Sequence, residues 1–443
     1  MSHNALTDRY LAAFAGSGLS VPEFLASVQP AIAGTHFGGQ CLSRPGFLQR
    51  SQVSRLEADL QTLYSCVTSL PNRLFGGDLA AFAIATGTAR EQVETIVRGR
   101  GSAPSRLARA DLYADETGFR VMELNMSAAL GGLDNAVLNR AMLRQPFLAE
   151  FAAQNQLGYL DTFVEVAETL LAECKVPSGG RPVVALTDWP ASYPDLAEQL
   201  HKNAAALAEL GIDALPCHLG QLRLEADRVW LGERQVDVIY RLFLMEDLLD
   251  EAGPALIDPV LRAAERGTVQ IFSPMDAELY GSKGALALLS DEANRHLFSE
   301  PELSCLDRFL PWTRMVRSEP VTVAGSVVQL DSYAISERIE LILKPTLLHG
   351  GAGVVAGWQT EPAEWRDRLA EAMDGHFVLQ KRIHPYTEPF PGEGGTEQWL
   401  LVWGAFLGAR GYSGMYLRGS AEVDRAVLNM ATGAIASCCF HEL

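Results

Sequence analysis

Apolar positions recur at helical spacing through residues 10–24, 51–70 and 78–84, and Pro22, Pro30, Pro45 and Pro71 punctuate these runs. The pattern predicts a mostly helical first hundred residues. It then switches to period two. Across residues 109–125 polar and apolar side chains alternate on two arms, with Asp115-Glu116-Thr117-Gly118 between them, which predicts a β-hairpin. Helical periodicity returns over 134–151 and again, strongly amphipathic, over 161–174. A turn-rich stretch, residues 177–182, follows. Beyond it, apolar strands at 183–186, 212–216, 236–240 and 269–272 alternate with helices at 195–210 and 255–266, and a hairpin sits near Val229-Trp230. That alternation predicts a small parallel sheet. Thr187-Asp188-Trp189-Pro190 stand after its first strand where a dinucleotide site would carry Gly-x-Gly-x-x-Gly, which argues against such a site.

From Pro274 onward a third pattern begins. Gly281-Ser282-Lys283-Gly284 opens a helix through about residue 297, and a strand over 340–343 leads into Lys344-Pro345. His349-Gly350-Gly351-Ala352-Gly353 follows, then a helix over 361–373, a strand over 377–380 before Lys381-Arg382, and strands near 399–406 and 415–418. These changes divide the chain at 1–176, 177–273 and 274–443.

Alternation gives the hairpin its chemistry. Centring it near Thr117, with a loop of about three residues ending on a left-handed Gly118, sets Asp111 across from Glu123 and Arg109 across from Asn125. All four then point to one side, while Ala110, Leu112, Ala114, Met122, Leu124 and Met126 face a core. Magnesium prefers oxygen ligands, typically one or two carboxylates plus substrate phosphates, and a neighbouring arginine can grip an oxyanion in a bidentate way. A solvated face with weak cross-strand pairs is the alternative reading. Lys344 ahead of a glycine loop could neutralise phosphate while the loop's N–H groups drape over it. The loop lacks the Walker A pattern and, alone, is more often a hairpin turn; Lys283, alone, reads as a surface charge. Gln380 ends an apolar strand and can offer groups to an adenine edge, or simply terminate an edge strand.

Composition narrows the classes. The chain has 443 residues, 48% of them hydrophobic, enough for two or three units with a sizeable core. Its net charge of −18 argues against nucleic acid as a partner. Seven scattered cysteines without Cys-x-x-Cys or zinc spacing predict reduced thiols and a cytoplasmic location. The expectation is also no signal peptide and no membrane span. The sequence is compatible with a homo-oligomer.

In combination these residues resemble the circularly permuted ATP-grasp ligases, such as glutathionylspermidine synthetases and the peptide ligase of pheganomycin-type biosynthesis. The likeness runs from about residue 100 to the C-terminus, with the acidic hairpin ahead of the lysine strands, as in the permuted group. It implies an α+β, circularly permuted ATP-grasp fold with a small parallel α/β unit of the pre-ATP-grasp kind. Asp111, Glu123 and Asn125 match the family's metal triad in type and spacing, and Arg109 matches its arginine two residues earlier. The resemblance implies ATP and magnesium (Mg2+) as cofactors. Lys283 and Lys344 would be the phosphate lysines, His349, Gly350, Gly351 and Gly353 the flexible loop, and Gln380 the adenine hinge. The short, alanine-containing loop departs from the family pattern. The implied reaction joins a small carboxylate donor to an amine or peptide acceptor through an acylphosphate, as in natural-product peptide bond formation. A small-molecule kinase and a non-catalytic nucleotide-regulated binding protein are the rival readings. Tyr240, Arg241, Arg410 and Arg418 would line an acceptor pocket or be structural.

Overall fold

The first helical run breaks where local chemistry dictates. Ala5–Ser17 starts on Asn4, whose side-chain oxygen accepts from the Leu6 N–H, and ends at a left-handed Gly18. Val21–Ile32 restarts on a Ser20–Glu23 capping box. The single helix expected over 10–24 is therefore two. The next helix, Arg50–Phe75, instead outruns its expected end at residue 70 and passes through Pro71 to a left-handed Gly76. Proline removes one intrahelical bond there, and a buried stripe of Leu56, Leu60, Leu63, Val67 and Leu70 holds the helix in place. The computed structural model describes residues 4–176, 180–348, 350–374 and 376–443, so His349 and residues 177–179 of the turn-rich stretch lie outside the described residues. Among the described residues no single helix is long and apolar enough to cross a membrane. The two N-terminal helices pass that test only as a pair, bent by 107°.

The architecture is mixed α/β. Its largest sheet has eight strands, six of them in the order Gly46–Leu48, Ile435–Glu442, Gly411–Ser420, Gly395–Gly408, Ala108–Asp115 and Gly118–Asn125. Early and late segments are thus one sheet. Ala108–Asp115 lies antiparallel to Gly395–Gly408 with Asp111 opposite Gly404. A second sheet, in the order Gln270–Phe272, Val238–Arg241, Val183–Asp188 and Asp213–His218, is parallel throughout. A third sheet is antiparallel, in the order Thr313–Met315, Phe377–Lys381, Leu341–Pro345 and Val355–Ala356.

The hairpin of residues 108–125 forms with one correction. Its loop is two residues, Glu116 and Thr117, so Asp115 pairs with Gly118 and Leu112 with Val121. Toward the open end Asp111 still faces Glu123 and Arg109 still faces Asn125. The extra residue, Met122, is taken up as a bulge. Val121, not Met122, consequently joins Ala110, Leu112 and Leu124 in the apolar cluster that also holds Leu56, Leu60 and Leu63 of the long helix. Met122 is released to the opposite, polar side. All seven cysteines are buried and unbridged.

Candidate active site

The polar face of the hairpin borders a cavity of about 300 Å³. Arg109, Asp111, Glu123 and Asn125 all line it, as strand alternation requires of four residues on one face. From the third sheet come Lys344 and Gln380, and from the glycine loop Gly350 and Gly351. Tyr113, Met122, Ile383, Leu400, Val402 and Leu428 form its apolar wall. Six of the side chains chosen for metal and nucleotide binding therefore meet in one place, brought from segments more than two hundred residues apart.

Asp111 is the electrostatic centre. Arg109 donates through Nε to Oδ1 at 2.8 Å and through Nη2 to Oδ2 at 3.0 Å, while its Nη1 donates to the Gly131 carbonyl at 2.8 Å. Arg418 Nη2 stands 2.9 Å from Oδ1. Burial alone would raise the Asp111 carboxyl. The two guanidiniums outweigh it and hold the group well below the usual carboxylate range. Asn125 Nδ2 donates to the Arg109 carbonyl at 3.4 Å, which turns its amide into the same cluster. Two carboxylates and an amide oxygen are hard donors of the kind that could hold magnesium once a ligand draws the arginines off Asp111.

Lys344 and Gln380 belong to neighbouring antiparallel strands. Lys344 pairs with Val378 and Ile342 with Gln380, so both polar side chains emerge on one face as diagonal neighbours. Lys344 Nζ donates to Gln380 Oε1 at 2.7 Å and to the Met122 carbonyl at 3.3 Å. Burial, and next to it the opposing pulls of Glu123 and Lys283, leave its ammonium weakened to about 8. Gln380 Nε2 donates in turn to Thr313 Oγ1, so its side chain is committed to holding the lysine. Lys283 does not line the cavity. It opens the helix Lys283–Ser290, with Nζ 3.3 Å from Glu123 Oε2 and donating to the Leu348 carbonyl at 2.9 Å. Gly350, Gly351 and Gly353 all take left-handed backbone angles, which explains the run of glycines. Gly353 packs against Pro345 rather than facing the cavity, and His349 lies outside the described residues.

Of the four acceptor-pocket candidates only Arg418 reaches the cavity. Arg241 is sealed in the core, donating to Glu278 Oε1 at 2.5 Å and to the carbonyls of Phe243 and Ser273. Tyr240 packs on Phe272. Arg410 is exposed and pairs with Glu165 and Glu168. Gly404 was missed altogether. A Cβ there would lie 3.1 Å from Arg109 Cδ and from the Tyr416 carbonyl, and 3.4 Å from Asp111 Oδ1. Its missing side chain is what lets Arg109 close on Asp111. Only the pairing of strands far apart in sequence reveals that need.

Comparison with known proteins adds the fold. The chain overlays on a glutathione synthetase-like effector from Globodera pallida, solved in its apo form, with a TM-score of 0.59 and 12% identity, covering 98% of this chain and 97% of that one. The two share a fold. D-cycloserine synthetase DcsG matches 52% of this chain and 71% of its own at a TM-score of 0.28 and 16% identity. D-alanyl-alanine synthetase A from Vibrio cholerae matches 50% and 67% at 0.26 and 8% identity. No family model matches the sequence. Uncharacterized proteins of Mycobacterium tuberculosis and Mycobacterium bovis are 25% identical over 328 residues, 67% of this chain and 55% of theirs. The chain thus spans about half the length of the curated relatives it matches.

Proposed function

We propose that this chain is an ATP-dependent carboxylate–amine ligase of the circularly permuted ATP-grasp type, joining an amino acid or similar small acid to an amino acid or peptide amine. The observation that carries the reading is the convergence of Arg109, Asp111, Glu123 and Asn125 with Lys344 and the glycine loop on one cavity. Chain order supports the permuted form, because the carboxylate hairpin precedes both lysines yet pairs with the late strand Gly395–Gly408. The fold shared with a glutathione synthetase-like protein supports the reaction class.

Asp111, Glu123 and Asn125 would hold magnesium, which when bound neutralises phosphate charge during transfer. A bare carboxylate is a poor electrophile. Its oxygen attacks the γ-phosphorus and ADP departs. The amine then attacks the acyl carbon, loses a proton and expels phosphate. Such transfer needs positioning and charge stabilisation more than a protein nucleophile. Arg109, already oriented by Asp111 and the Gly131 carbonyl, faces the transferred phosphoryl group and then the tetrahedral oxyanion. Lys344 neutralises nucleotide phosphates, and Lys283, behind Glu123, holds that carboxylate in place. The apolar wall around Ile383, Leu400 and Leu428 takes the base, and the glycine loop closes to exclude water from the acylphosphate.

ADP release measured with candidate acids, with and without candidate amines, tests the proposal. Amine-dependent ADP release supports a ligase. Turnover to a stable phosphorylated acid without amine makes the protein a kinase, and no ADP under any pairing makes it a nucleotide-regulated binder.

A further inference from the structure

The strand Gly411–Ser420, which carries Arg418, is followed by a connection to the last strand, Ile435–Glu442. Residues 423–429 of that connection all border the cleft, as do Gly350 and Gly351 of the glycine loop. The two segments come from different parts of the chain and meet at the cavity, where their contacts are specific.

Asn429 uses both ends of its amide. Its Oδ1 accepts from the Thr432 N–H at 2.8 Å and caps the short turn Met430–Thr432. Its Nδ2 is thereby turned away from the turn and donates to the carbonyl of Gly350, 79 residues earlier. An amide oxygen only accepts and its nitrogen only donates, so each end has the kind of partner it can use. A second contact is steric. Gly351 holds a left-handed backbone, and a Cβ there would overlap Val427 Cγ1. The valine side chain therefore fills the notch that a larger residue at 351 would occupy. Just past the loop, Gln359 Nε2 donates to the Asp424 carbonyl at 2.7 Å.

We propose that Asn429 is a positioning residue that fastens the glycine loop to residues 423–429, so that the two open and close over the cleft as one lid. What the lid encloses rests on the ligase reading. With both segments down, water is kept from the acylphosphate. Water that reached it would attack the acyl carbon and expel phosphate, returning the acid and leaving net hydrolysis of ATP to ADP and phosphate. The lid's foot is the strand whose Arg418 meets Asp111, so its position is tied to the reacting end of the cavity.

Hydrogen exchange on the full chain, free of ligand, tests the tie. Asn429→Asp keeps an oxygen for the Thr432 N–H but sets a second acceptor against the Gly350 carbonyl. Amides of 350–354 and of 423–429 should both exchange at least about fivefold faster, the loss of one hydrogen bond. The melting temperature should hold, because aspartate caps as well as asparagine. Val427→Ala, which empties the notch, should loosen the same two segments. In the ligase assay Asn429→Asp should release more than one ADP per amide formed, a change that a residue serving only as a cap would not produce. Unchanged exchange at 350–354 in Asn429→Asp, or faster exchange confined to 423–429 in both variants, overturns the proposal. If both segments loosen as expected but magnesium and ADP slow neither in the native protein, the tie stands and the ligase reading fails.

Discussion

Arg418 Nη2 stands 2.9 Å from Asp111 Oδ1, on a carboxylate that Arg109 already holds through both oxygens. One buried acid thus orients two guanidiniums, and the trio carries a net positive charge facing the cavity. Arg418 lines the same cavity, so its guanidinium adds to that charge.

Arg109→Ala should lower kcat by at least about two orders of magnitude, the usual loss when a charge-stabilising donor is removed from a reacting site. Steady-state kinetics of ADP release measures it. A raised KM with unchanged kcat would instead assign Arg109 to substrate binding.

Asp111→Asn and Glu123→Gln should each abolish ligation while cooperative unfolding and far-ultraviolet circular dichroism remain. For Glu123→Gln the magnesium concentration giving half-maximal nucleotide binding should also rise. Near-normal turnover in either variant removes that residue from the metal role.

Lys344 makes a pH prediction with a definite sign. Its ammonium is weakened to about 8 in the folded protein against 10.5 for an ordinary lysine. Between those values the unfolded chain holds a proton the folded one lacks, so this group's contribution to stability rises with pH across that window. A polyphosphate seated on Lys344 restores the charged form. Nucleotide binding should therefore take up a proton near pH 8 to 9, and affinity should fall as pH rises beyond 8. Calorimetry in two buffers of different ionisation enthalpy reads the uptake; Lys344→Met should abolish it.

Gly404→Ala places a methyl 3.1 Å from Arg109 Cδ and from a backbone carbonyl. The expected cost is about 1–3 kcal/mol of stability, the range for overpacking a filled interior. The displaced arginine should bring a fall in kcat larger than the change in KM. Denaturant unfolding and kinetics on the same preparation check both. A neutral variant would mean that Arg109 has room to spare.

The hairpin's polar face was legible because strand alternation is a local rule, and Asp111–Glu123 and Arg109–Asn125 pair as that rule requires. Its inner face was misread at one position. The tight loop at Glu116-Thr117 forces a bulge that exchanges Val121 for Met122, and two hairpin registers differing by one residue have the same composition. Helix ends at Gly18 and Ser20 were carried by capping residues present in the chain, whereas the passage through Pro71 depended on packing. Arg241 and Arg418 looked alike as arginines after apolar strands. Their opposite fates, one sealed against Glu278 and one at the cavity, follow from which sheet each strand joined.

By itself the sequence determined the local elements and the chemical character of each motif, since periodicity, caps and turn residues act within a few positions. Only the tertiary structure decided that strands around residues 110, 344, 404 and 418 meet, that Gly404 must be small, and that Asp111 is shared between two arginines. The reason is physical. Pairings across hundreds of residues are chosen by the total free energy of burying both partners, and no single segment encodes its share of that sum.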